Sequence, residues 1–408
     1  MAGMAEVYLP AFGLALGMSP VLAGLLASVP LLAGGVLQLV APRVIQRVRS
    51  LRGWVVVCMA AQALAFVPLV IVALTGRVAT GVVFAAASLY WGAGMAGSAG
   101  WTPWTARVIP ARIRNRFFGR RQGLMQAAML AGLIGAGAAL RAVSGTDHVL
   151  TVYAGMFGLA FVARGISAIA IYHQGAGVDA SPRRRMRLRD AAPKLRGTPR
   201  GAILFYLVAA LAAASIAGPF IAPYLLDHHG LSYLEFSTFS AVIVVVKIAA
   251  MPLVGRLLHR TSLRRVITLS AFAIAPIPLL WLVSDSFWWF LAIQMYSGIA
   301  WAGFELSMLM ALFDADDDAE RTTLQDMFSA LQAIGAAGAS VIGGVVLDSF
   351  GTDHRAYLAV FIVSSIARFA AVMLLVRRLP LLLARLPLTM VSRAWTMAED
   401  LIRPRRAR

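Results

Sequence analysis

The sequence predicts an all-α, polytopic membrane protein of twelve transmembrane helices, arranged as two pseudo-symmetric six-helix bundles. Three observations lead there. Of 408 residues, 60% are hydrophobic and 13% charged, against about 25% charged in an ordinary soluble domain. Apolar runs near the about 20 residues needed to cross a bilayer recur along the whole chain. A short basic loop between two such runs, PRVIQRVRSLR at 42–52, is answered in the second half by GRLLHRTSLRR at 255–265.

The runs of the first bundle, 1–173, fall at 1–17, 20–41, 53–75, 80–104, 122–140 and 150–173. The first is short and carries Glu6, so the chain is expected to start within that helix or the helix to lie tilted. A signal peptide is disfavoured because no basic region precedes it. Helix two holds Gly24, Gly34 and Gly35, and helix five Gly132, Gly135 and Gly137. Such small-residue surfaces let helices approach closely, and helices two, five and eleven are the expected pivot. Residues 174–200, with eight basic residues and Pro182, Pro193 and Pro199, read as a cytoplasmic linker.

The second bundle, 201–376, has runs at 201–226, 233–254, 266–283, 287–312, 323–347 and 356–376. Trp288 and Trp289 open the tenth helix, at an interface that favours amphipathic rings. Residues 377–408 form a basic tail expected on the inner leaflet.

A net charge of +19 could suggest a nucleic-acid partner, so placement has to decide. Arg77, Arg141 and Arg355 lie on one face, and Arg164, Lys247 and Arg368 lie inside helices. Every other basic residue belongs to loops of the opposite face or to the linker and tail. That asymmetry is the positive-inside rule, which puts both termini in the cytoplasm and argues against nucleic-acid binding. Only Lys194 and Lys247 are lysines, a bias toward arginine that points to a GC-rich bacterial genome. Cys58 is alone, so no intrachain disulfide forms.

Two parallel six-helix copies are a transporter plan, with a substrate site between the copies near the midplane. Ala163-Arg164 in helix six and Ala367-Arg368 in helix twelve match by repeat. The loops resemble those of the major facilitator superfamily of secondary transporters. That family's signature runs Gly, three residues, Asp-Arg, one residue, Gly, one residue and two basic residues. Gly255, Arg260, Arg264 and Arg265 keep the spacing, with His259 in place of the Asp and Ser262 in place of the second Gly. In the first half Arg47 and Arg52 remain. The stretches 101–121, with WTPW and FFGRR, and 303–322 also look like loops of bacterial members. The resemblance implies alternating access in a cell inner membrane.

A charge at the bilayer centre costs roughly 2.5 to 3.5 kcal/mol on insertion scales, so each needs a reason. Lys247 and Glu305 each sit seven residues before the cytoplasmic end of helices eight and ten. They are expected to pair across a polar cavity where substrate or proton competes for them; a fixed packing ion pair is the alternative. Lysine suits such a role because, unlike arginine, it can lose its proton when desolvated. Glu6 is a candidate proton acceptor, or else a wet, idle residue at a helix end. Arg164 and Arg368 are expected to be structural, snorkelling to the inner headgroups. Tyr90, Trp91, Trp301 and Phe304 are candidates to line a cavity for a bulky apolar or cationic substrate, with packed or lipid-facing rings the alternative and the commoner case. The acidic run with Asp316, Asp317 and Asp318 is expected to meet the basic stretch 105–121 as a cytoplasmic gate, or to stay solvated.

His228 and His229 are adjacent and expected to diverge on a helix, so no metal site is read there. No GK[ST] phosphate loop and no nucleophile with its base occur, so neither a cofactor nor an enzymatic activity is expected. The reading is a monomeric, proton-coupled secondary transporter of a small solute, with efflux of an amphipathic compound preferred. A metabolite-uptake permease and a non-transporting receptor or scaffold are the alternatives.

Overall fold

The structure is a computed structural model that describes residues 2–48, 50–174, 198–313, 318–351 and 353–377. A π-turn at Ala2–Glu6 leads into α1 (Leu9–Ala15), followed by α2 (Pro20–Leu25), α3 (Pro30–Val48), α4 (Leu51–Leu64), α5 (Phe66–Thr75), α6 (Thr80–Val108), α7 (Ala111–Ala142) and α8 (Val149–His173). The second half comprises α9 (Pro199–Ala217), α10 (Tyr233–Arg260), α11 (Leu263–Ile274), α12 (Ile277–Leu280), α13 (Phe287–Phe313), α14 (Asp318–Ser349) and α15 (His354–Arg377). A run of tight turns, Gly218–His228, continues α9 toward α10.

Ten helical stretches among the described residues are long and apolar enough to cross a membrane. The first segment is short, as expected from its sequence, and α13 is long but diluted by tryptophans, Gln294 and Glu305. Together they account for the twelve predicted helices. Several spans are jointed: helix two splits at 26–29, helix three at Ala65 and helix nine at 275–276. Pro278 explains the last joint, since it cannot donate to the carbonyl four residues back.

Serines and threonines set the helix starts, their hydroxyls taking backbone N–H groups that no helix turn can satisfy. Ser50 accepts from Gly53, Thr198 from Gly201 and Ser262 from Arg265. Ser232 and Glu235 form a reciprocal capping box at α10. Ser262 thus has a local use where the family signature carries glycine. The two basic loops are mostly helix: α3 runs through Arg47 to Val48 and α10 through to Arg260, leaving only Thr261 and Ser262 as the second joint.

Packing repeats between the halves. Helix α3 lies on α6 as α10 lies on α13, and α4–α5 lie on α8 as α11–α12 lie on α15. Across the interface α3 meets α14 and α7 meets α10. Small residues make these approaches possible, because a Cβ would already collide. One added at Gly35 would fall 2.7 Å from Ala333 Cβ, and one at Gly24 would fall 2.5 Å from the Phe220 ring. Ser28 Oγ donates to Ser340 Oγ at 2.6 Å, both buried. The Tyr8 hydroxyl pairs with Ser237 and donates to the Leu133 carbonyl at 3.0 Å. Ser28, Ser340 and Ser237 all lie toward the end away from the basic loops, and there the halves are in close contact.

Candidate functional site

Helices α10 and α13 place two ionisable side chains together. Lys247 Nζ lies 2.8 Å from Glu305 Oε1, with side-chain exposures of 26% and 36%. The sequence determines which way they face. At about 100° per residue, Lys247 falls opposite the exposed Val245, Ala249 and Leu253 on α10. Glu305 falls about 80–120° from the exposed Trp288, Met295 and Ile299 on α13 and about 40° from the exposed Leu309. The two ions partner each other within the span, where an unpaired ion would be costly. Gly298 makes the approach possible: a Cβ there would lie 2.9 Å from Val246 Cβ. Trp301, half-buried and one turn before Glu305, shares its face of α13.

In the other half, Glu6 is not idle. Its carboxylate accepts a hydrogen bond from the Tyr90 hydroxyl. Tyr90 is buried, its ring edge-on to Trp91 and its carbonyl taking a 3.0 Å bond from Gln62 Nε2. A narrow cleft at this point is lined by Glu6, Leu9, Phe66, Tyr90 and Trp91. Arg164 is half-buried on α8, and its Nε is buried with no hydrogen-bond partner. Each half thus holds an acid with a donor, Tyr90 in one and Lys247 in the other, beside a tryptophan.

Several expectations need correction. Arg368 does not snorkel: it is only 7% exposed, and its Nη1 donates to the Ile274 carbonyl at 3.1 Å. A buried carbonyl freed by a helix joint is a nearer partner than the headgroups. Phe304 is fully buried against Tyr206, as the packed alternative has it. Tyr90 presents its hydroxyl to Glu6 while its ring is packed. Trp288 is 77% exposed, whereas Trp289 turns back to donate to the Leu280 carbonyl at 2.8 Å.

At the basic end, Arg52 Nη1 donates to the carbonyls of Tyr172 and Gln174, at 3.3 and 3.2 Å, tying α4 to the end of α8. Arg47, Arg260 and Arg265 are exposed, and Gly255 and Arg264 half-buried. The His259 side chain lies outside the described residues. So do Asp316, Asp317 and the side chain of Asp318, whose backbone opens α14. The expected gate between that run and 105–121 therefore falls largely outside them.

Sequence reasoning also missed a cluster at the far end. His228, His229 and His354 come together, with one ligand atom of each within 4.8 Å of the others. A π-turn at Tyr224–His228 overturns the expected divergence of the two neighbours, gathering both rings around Tyr224. Only the Asp227-His228-His229 triplet signalled it in the sequence.

Twelve helices in two related halves, with an ion pair held within the second, define a polytopic membrane protein of the transporter type. The family model described as Major Facilitator Superfamily matches residues 202–396. Solved structures extend the likeness over the whole chain. The nucleoside transporter NupG is 15% identical over 94% of this chain and 96% of its own, with a TM-score of 0.64. A POT family transporter in complex with 5-aminolevulinic acid is 12% identical over 93% of each chain, with a TM-score of 0.67. FucP, a Major Facilitator Superfamily transporter in the outward conformation, is 11% identical over 91% of this chain and 94% of its own, at 0.56. No curated protein matches the chain. The second half of the chain thus matches the major facilitator superfamily model, and the chain shares its fold with solved transporters such as FucP.

Proposed function

We propose that the protein is a proton-coupled secondary transporter of the bacterial inner membrane. It would export a small amphipathic solute by alternating access between bundles 1–173 and 201–376, with both termini in the cytoplasm. The observation that supports this reading is the Lys247–Glu305 pair, held at 2.8 Å within the span with side-chain exposures of 26% and 36%. Sealing an ion pair strengthens its attraction but costs desolvation of both ions, which can exceed that gain. A pair left partly uncovered is available to a charged group on a substrate, or to a proton on Glu305. Glu6 with Tyr90 provides a second acid in the other half, so that each bundle contributes one protonatable group. Related folds in a nucleoside transporter and in a transporter holding 5-aminolevulinic acid support a small organic solute. Amides inside the helices are few, and Gln62 and Gln294 are already bonded to the carbonyls of Tyr90 and Phe239, which favours an amphipathic solute over a sugar-like one. The close contact of the halves at the far end corresponds to a state closed toward the outside.

The deciding experiment is flux. Inverted vesicles carrying the protein, loaded against a panel of amphipathic solutes with and without an imposed pH gradient, should accumulate at least one in a gradient-dependent way. Lys247→Ala and Glu305→Gln should abolish that accumulation. Solute movement in neither direction would leave a receptor or scaffold as the better reading.

A further inference from the structure

The histidine cluster at the far end belongs to no part of the proposed transport path. We propose that His228, His229 and His354, with Asp285 as the fourth ligand, form a binding site for a borderline divalent transition-metal ion such as Zn(II). Three loops converge to make it. His228 and His229 close the π-turn after α9, His354 is the first residue of α15, and Asp285 lies just before α13. The three imidazole centroids are 5.1, 5.2 and 6.2 Å apart, and their ligand atoms lie within 4.8 Å of one another. Tetrahedral zinc, with Zn–N near 2.0–2.1 Å, needs nitrogens about 3.3 Å apart. His228 is the exposed member of the three, its ring stacked on Tyr224 and His354, so closing the remaining gap is a side-chain adjustment at that ring.

His229 Nε2 is buried with no hydrogen-bond partner, and it points toward Asp285 Oδ1 at 3.6 Å. A buried polar nitrogen left unpaired has to be accounted for, and a metal ion would do so. The surroundings suit ligation. Tyr224 donates its hydroxyl to Asp285 Oδ1 at 3.3 Å, a second layer that orients the carboxylate. Asp353 Oδ1 accepts from the Ala356 N–H at 3.0 Å, capping α15 and so fixing the backbone at His354. Three imidazoles and a carboxylate are a nitrogen-rich set that selects zinc, nickel or copper over magnesium or calcium.

The test uses the full-length protein in detergent, purified through a tag without histidine and stripped with chelator. Equilibrium dialysis against Zn(II) should show one ion per chain, and Co(II) should give the visible absorption of a tetrahedral site. His228→Ala and His354→Gln should each lower Zn(II) affinity at least about 100-fold, and Asp285→Asn about 10-fold. His173→Ala, at the basic end, should bind as the parent does. Both histidine variants leave the helix spans intact, and a monodisperse elution profile checks that they fold. No saturable binding by the parent, or equal binding in the two histidine variants, would overturn the proposal.

Discussion

Arg368 Nη1 donates to the Ile274 carbonyl at 3.1 Å, and that carbonyl is free to accept because Pro278, four residues on, has no N–H to give it. The next carbonyl, Ala275, is taken by Ser365 Oγ at 2.7 Å. Helix α15 thus supplies two donors to the joint between α11 and α12. Removing one leaves a buried acceptor unpaired, at a cost of about 1–3 kcal/mol. Arg368→Ala should therefore lower the thermal midpoint in detergent clearly. Arg368→Lys, which keeps a donor, should recover part of the loss.

That joint shows where sequence reading stopped. Twelve spans and the ions inside them were legible because hydropathy and charge are read residue by residue. Lys247 and Glu305 could be matched because each stands seven residues before the end of its apolar run, although α10 itself continues to Arg260. Arg368 was assigned to the headgroups because its partner is a backbone carbonyl that exists only where a helix breaks; Pro276 and Pro278 were the available signal. His354 could not be joined to His228 and His229, since a π-turn changes the facing of neighbours and leaves no compositional trace. The Ser28–Ser340 contact rests on two small hydroxyls of a kind common throughout the chain.

The approach of α3 to α14 gives a second prediction. A Cβ on Gly35 meets Ala333 Cβ, which has no flexible end to move aside, while one on Gly338 meets nothing within 4 Å. Gly35→Val should hold the halves apart. In a Cys58→Ala background, a single cysteine placed at Ser28 should then be labelled faster by a polar maleimide, and transport should fall at least about tenfold. Gly338→Ala, in contrast, should raise stability by about 0.5–1 kcal/mol, because alanine loses less backbone freedom in a helix.

The Glu6–Tyr90 contact gives a third. If Glu6 carries the proton, Glu6→Gln should abolish uphill, gradient-driven accumulation while leaving solute exchange at equal pH. Tyr90→Phe removes the donor and keeps the ring that packs against Phe66. It should retain coupling but shift the pH at which transport is half-maximal upward, because a carboxylate that loses a hydrogen bond holds its proton more tightly. An unchanged pH profile in both variants would remove Glu6 from the coupling path.

The Lys247–Glu305 pair gives the fourth, and here magnitudes separate a functional pair from a packing one. With a quarter to a third of each side chain exposed, its contribution to stability should be that of a screened ion pair, about 0–1 kcal/mol. Lys247→Ala and Glu305→Gln should thus shift the thermal midpoint little, yet each should lower transport at least tenfold. The double variant should be no worse than the more damaged single one, since either change alone already breaks the unit. Transport losses that simply multiply, or that track losses of stability, would identify the pair as a strut between α10 and α13. The pH and substrate dependence of transport would then have to originate in the other half.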